Sequence, residues 1–121
     1  MRIHESGDRS TAYGGRFTGT VTLEMLAEAA SGEQPDIARV EFEDGAVTNW
    51  HAHPGGQYLY LLAGVGCVGT EADGEVALAV GSFVQAPAGE RHYHGARPGS
   101  GATFLAVTWG TTDWEDAAPS R

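Results

Sequence analysis

Four of the five histidines in this chain fall in two pairs, His51-Ala52-His53 and His92-Tyr93-His94. Neutral imidazole is the commonest protein ligand for a transition metal. In an extended segment, residues i and i+2 point to one face, so each pair can aim two ring nitrogens at one point. Gln57 stands six residues past His51, in the same parity, across the turn Pro54-Gly55-Gly56. Its amide oxygen can reach the same point. The second pair follows another turn, Pro87-Ala88-Gly89. Two strands that each offer imidazoles suggest a convergent metal site in the mouth of a β-barrel. The chemistry of such a centre is Lewis-acid polarisation of an oxygen atom, with a nearby base to move a proton.

The elements that must position these residues read as strands. Residues 17–23 alternate, with Phe17, Gly19, Val21 and Leu23 on one face. Residues 37–43 carry charge at alternate positions and stop at the turn pair Asp44-Gly45. Residues 47–53 read as extended and bear the first histidine pair. Residues 57–63 are nearly all apolar, as in a strand buried on both faces. Residues 70–80 contain the hairpin turn Ala72-Asp73-Gly74-Glu75, and residues 82–85 and 103–109 complete the set. The 18 glycines supply the many turns such a chain needs. Helix signals are minor. Residues 23–30 hold helix formers enough for two turns, and Thr112 with Glu115 has capping-box spacing, which predicts a short C-terminal helix. Short strands separated by turn residues predict an all-β sandwich or barrel. The 121 residues make one domain: a polar, Gly-rich arm over 1–16 that orders against a partner subunit, a barrel over 17–110 and a tail over 111–121.

Composition narrows the chemistry. The seven basic residues are all arginine, against 16 acidic ones, for a formal charge of −9. Without lysine there is neither a Schiff-base amine nor a P-loop. The acidic balance argues against nucleic acid and anionic membrane as partners, since both reward clustered positive charge. No stretch approaches the roughly 18 apolar residues of a membrane span, and the opening residues carry no apolar signal region. Cys67 has no second cysteine to pair with and reads as a small buried thiol in a reduced, cytoplasmic protein. Gly64-Val65-Gly66-Cys67-Val68-Gly69 fits a dinucleotide fingerprint, but the next residues, Thr70-Glu71-Ala72-Asp73-Gly74, have no helical period. Those glycines read as a bend between strands. Trp50, Tyr58, Tyr60, Tyr93, Phe104 and Trp109 read as core or dimer contacts, and Glu90 and Arg91 as a solvated turn.

Gly45, five residues, His51-Ala52-His53, three residues, Gln57, six residues and Gly64 form a pattern that resembles the first cupin motif, G-x5-H-x-H-x3,4-E-x6-G. Gly81, five residues, Pro87-Ala88-Gly89, two residues and His92 resemble the second, G-x5-P-x-G-x2-H-x3-N. The resemblance implies a double-stranded β-helix jelly roll, a homodimer and a metal near the barrel centre. Gln57 stands where glutamate is usual, and Ala96 where asparagine is usual. Trp50-His51-Ala52-His53-Pro54-Gly55-Gly56-Gln57 and residues 87–96 resemble the bacterial cupins that include manganese-dependent hydroxynitrile lyases. The opening Phe17-Thr18-Gly19-Thr20-Val21 and the closing Asp113-Trp114 are similar too.

That resemblance implies a metal held by His51, His53, Gln57 and His92. Manganese is the metal it implies; iron, cobalt, nickel and zinc also suit these ligands. Three imidazoles and an amide leave the ion its full charge, which makes a stronger Lewis acid that is held less tightly. His94 lines the site without being a first-choice ligand. Those lyases carry a further acid–base histidine on the last long strand, and by register that position is Phe104. Either His94 moves the proton or the reaction is different. Thr48 is placed to hydrogen-bond a substrate hydroxyl. The expected function is a metal-dependent lyase or isomerase acting on a small oxygenated or anionic molecule. The alternatives are a cupin oxygenase, a natural-product cyclase or dehydratase, and a non-catalytic metal-containing binder of small ligands.

Overall fold

Strand Ala102–Thr108 shows how alternation becomes layers. Ala102, Phe104 and Ala106 are buried, while Thr103, Leu105 and Val107 between them are half-buried on the other face. The same period-two logic runs through the chain. The computed structural model describes residues 1–5, 9–11 and 16–121. In chain order its strands are β1 (Arg9–Thr11), β2 (Phe17–Thr18), β3 (Val21–Ala27), β4 (Asp36–Phe42), β5 (Val47–Thr48), β6 (His51–Ala52) and β7 (Gln57–Gly64). They continue as β8 (Gly66–Thr70), β9 (Gly74–Leu78), β10 (Phe83–Ala86), β11 (Tyr93–Ala96), β12 (Ala102–Thr108) and β13 (Asp113–Trp114).

All pairings are antiparallel. One sheet runs β1-β3-β4-β12-β7-β10, a second runs β2-β5-β11-β8-β9, and β13 pairs with β6. The inward residues of the large sheet, among them Val40, Phe42, Leu59, Leu61 and Phe104, join Ala46, Leu78 and Ala96 in one core cluster. The chain is an all-β jelly roll. Among the described residues no helix is long and apolar enough to cross a membrane.

Three expectations need correction. The short C-terminal helix is absent: Asp113–Trp114 is a strand on β6. The capping-box side chains are engaged elsewhere, Thr112 with His53 and Glu115 with Arg91. Residues 23–30 are not helical either, because β3 pairs with β4 along most of its length; ladder partners outweigh a weak local propensity. Strand β7 is buried on one face only, leaving Tyr58, Tyr60 and Leu62 exposed. The expected N-terminal arm falls partly outside the described residues, at 6–8 and 12–15; within it, Arg9–Thr11 pair with Thr22 to Glu24 of β3.

The glycine-rich run leads into a strand, β8, rather than a helix. Gly66 instead makes room for a ring: a methyl there would come within 2.8 Å of Phe104. Close packing, not phosphate binding, explains that glycine.

Candidate metal centre

His51 and His92 oppose each other on neighbouring extended segments. Their backbones exchange two hydrogen bonds, His51 N–H to His92 O and His92 N–H to His51 O, both 2.9 Å. This pairing brings the rings to 4.4 Å between centroids. His53 lies two residues on, with its ring 4.8 Å from that of His51 and 5.3 Å from that of His92. All three are buried, and their available ring nitrogens lie within 4.8 Å of one another. The three histidines can hold a metal ion.

The other ring nitrogens are all engaged. His51 Nδ1 donates to the Asn49 carbonyl at 2.8 Å, and His92 Nδ1 lies 3.0 Å from the Glu90 carbonyl. His53 Nδ1 meets the Thr112 hydroxyl at 3.0 Å. A carbonyl can only accept, so His51 Nδ1 keeps its proton and its Nε2 presents a lone pair to the interior, while the Thr112 hydroxyl can accept from or donate to His53 Nδ1. Gln57 begins β7, just after the turn. Its amide nitrogen donates to the Thr108 hydroxyl at 2.9 Å, which turns its oxygen inward, 3.1 Å from His92 Nε2. A neutral His92 has one ring proton for two facing acceptors, the Glu90 carbonyl and the Gln57 oxygen, so one of these two close contacts lacks a proton. His53 Nε2 is buried and has no hydrogen-bond partner. Buried polar atoms left this way are costly unless something binds them, and a cation fits this donor set.

The electrostatics agree. Burial, then repulsion from His92, holds His51 down to about 3. His53 is lowered to about 4, chiefly by burial and by His92, with the Gln57 amide opposing. Burial also lowers His92. All three are therefore neutral near pH 7, the form that ligates.

Beside them lies a cavity of about 160 Å³ with Phe17, Leu23, Met25, Val40, Phe42 and Ala106 among its walls. Its polar lining includes the three threonines 48, 108 and 112. Thr48 Oγ1 accepts from the His94 N–H at 3.1 Å, which leaves the hydroxyl proton free to be donated. His94 is 4% exposed, and its ring packs edge-on against Phe42 and Phe104 at 5.5 and 5.4 Å. Its Nδ1 is buried without a partner. Burial, reinforced by the three neighbouring histidines, pushes its pKa well below the usual value. An outer hollow of about 480 Å³, lined in part by Arg16 and Gln34, shares Asp36, Thr112 and Trp114 with the cavity.

The Cupin domain family matches residues 38–108, more than half of the chain. The chain belongs to the cupin family. It is 38% identical over 109 residues to an (R)-mandelonitrile lyase of Granulicella tundricola, covering 88% of this chain and 83% of that protein. A cupin-like protein of Thermotoga maritima shares 31% identity with a TM-score of 0.84, over 97% of this chain and 90% of the other. The polyketide cyclase RemF of Streptomyces resistomycificus has the same fold, with a TM-score of 0.76 at 19% identity, over 94% of this chain and 84% of its own.

The structure thus gathers His51, His53, Gln57, His92, His94 and Thr48 around one point of this cupin. Phe104 is wholly buried beside His94. Sequence reading missed three residues: Thr108, Thr112 and Trp114, whose ring lies 4.7 Å from that of His51. Arg91 is 37% exposed, as a solvated turn residue would be, but it also lies over the Trp50 ring at 4.0 Å and grips Glu115, partners that sequence reading did not find. No periodicity marks such residues, because their partners are more than 20 positions away.

Proposed function

We propose that this cupin is a metal-dependent lyase of hydroxynitrile-lyase type, with His51, His53, His92 and Gln57 as ligands to manganese. The observation that carries the reading is the facing pair, His92 Nε2 and Gln57 Oε1, beside the unbonded His53 Nε2. A divalent ion bound there supplies Lewis-acid polarisation of a substrate oxygen, undiminished by any ligand charge. The cavity is close to the volume of an engineered benzene-binding cavity of about 150 Å³, so it suits a small ring or short aliphatic body. The mandelonitrile lyase relative supports a cyanohydrin as substrate.

In cyanohydrin cleavage the hydroxyl proton goes to a base and the carbon–oxygen bond becomes a carbonyl. Cyanide departs with the electrons of the carbon–carbon bond and takes up a proton. His94, neutral and part of the cavity lining, accepts the hydroxyl proton and returns it to the leaving cyanide. The Thr48 hydroxyl donates to the substrate oxygen as negative charge develops on it. Phe104 moves no proton and serves as the wall that holds His94. A His94→Gln variant is expected to keep its metal and lose about 10²- to 10⁴-fold in kcat. An unchanged kcat would remove His94 from the mechanism.

The test of the reading is metal analysis of protein supplied with manganese, followed by mandelonitrile cleavage. Less than one-tenth equivalent of any transition metal would overturn it. Turnover under strict anaerobiosis separates the lyase from an oxygenase.

The outer face of the large sheet supports a homodimer. Tyr58, Tyr60, Leu62 and Phe83 are 39%, 42%, 41% and 54% exposed, and Tyr60 is paired in register with both Phe83 and Leu105. A contiguous apolar face on an edge-bearing sheet calls for a cover, and a second copy of the same face supplies one. A Tyr60→Glu, Phe83→Lys double variant is expected to sediment as a monomer where the parent is a dimer; a monomeric parent would refute the assignment. The lone Cys67, buried and free, is consistent with a reducing, cytoplasmic setting.

A further inference from the structure

Residues 112–117 follow the last long strand and fold back over the segments that carry the histidines. Asp113 and Trp114 pair in register with Ala52 and His51. Glu115 N–H donates to the Trp50 carbonyl, and Trp50 N–H to the Ala117 carbonyl, both at 3.0 Å. The Asn49 side-chain amide donates to the Glu115 carbonyl at 3.1 Å, while the Asn49 carbonyl holds His51 Nδ1. The Glu115 carboxylate takes a bidentate grip from Arg91, at 2.6 and 3.0 Å. Arg91 lies between His92 and Glu90, the residue whose carbonyl holds His92 Nδ1. The Trp114 ring covers the His51 ring at 4.7 Å and 35°, backed by Phe17 at 5.4 Å. Thr112 meets His53 Nδ1 directly at 3.0 Å.

One short segment therefore touches the support of every histidine in the triad. We propose that residues 112–117 are a clasp that orients the triad, and that Thr112 is the positioning residue that fixes His53 as its Nδ1–H tautomer. The inference rests on the reading of this site as a metal centre, but its first consequence is visible without metal. His51 is held by a carbonyl, which only accepts, so its tautomer is set by the backbone, and His92 faces acceptors at both ring nitrogens. His53 alone depends on a hydroxyl contributed by the tail. Removing that hydroxyl frees the proton to move to Nε2, where it blocks the lone pair.

The experiment uses the full chain with three versions of position 112: the parent, the near-isosteric Thr112→Val, and Thr112→Ser, which keeps the hydroxyl. In metal-free protein, two-bond proton–nitrogen NMR reads the His53 tautomer. Manganese affinity is then measured by competition, with thermal unfolding as the folding control. The parent is expected to show Nδ1–H, and Thr112→Val a shift toward Nε2–H with affinity weakened about 10- to 100-fold, the range typical of an outer partner lost from a ligating histidine. Thr112→Ser is expected to restore both. An unchanged tautomer and affinity in Thr112→Val overturns the proposal, as does equal impairment in valine and serine variants. If the tautomer shifts in Thr112→Val but the parent itself holds no metal, the positioning role stands and the metal reading falls.

Discussion

Replacing His51 with alanine is expected to strip the centre of its metal and lower kcat/KM by several kcal/mol of transition-state stabilisation, on the order of 10³-fold. His51 is the hub of the cluster. Its ring lies within 5.4 Å of those of His53, His92, His94 and Trp114, and its backbone pairs with His92. Without it, two imidazoles and one neutral amide remain, with no carboxylate to compensate. Metal content by elemental analysis and cleavage rate on the same preparation check the outcome. Full activity in His51→Ala would rule out metal catalysis at this site.

Phe104→Ala is expected to be the most damaging single core substitution near the site. The ring is fully buried, packs edge-on against Phe42 at 5.8 Å and His94 at 5.4 Å, and fills the space left above Gly66. Truncating such a phenylalanine costs about 3–5 kcal/mol through lost burial and the cavity left behind. For a domain of this size that lowers Tm by roughly 10–20 °C. Phe104→Leu is expected to lose much less stability and to retain cleavage, since the ring has no proton to exchange. Calorimetry of the two variants decides the first point. A Phe104→Leu protein that is stable, metal-loaded and inactive would contradict the role given to His94.

The histidines were legible because two simple constraints fix them. Period two puts His51 and His53 on one face, and turns between strands bring Gln57 and His92 back to it. Most strands were legible for the same reason. The tail was not. Thr112 and Glu115 have the spacing of a capping box, a local signal, yet both answer to distant partners, His53 and Arg91. Strand β7 misled in a different way. Tyr58, Tyr60 and Leu62 are as apolar as core residues, and alternation in apolarity alone cannot separate an interior from a face open to the outside.

The distance along the chain between a ligand and its support has a consequence in time. Thr112 follows His53 by 59 positions, and Glu115 follows Asn49 by 66. Contacts so far apart must wait for the intervening chain to be made and folded. During synthesis, His51 and His53 emerge long before the residues that orient them, and before His92. An ion met at that stage finds a loose pair of imidazoles and leaves easily. The complete site closes only when residues 112–117 settle onto β6, and on the proposed metal reading a chain halted before Thr112 is expected to hold an ion more weakly than the finished protein.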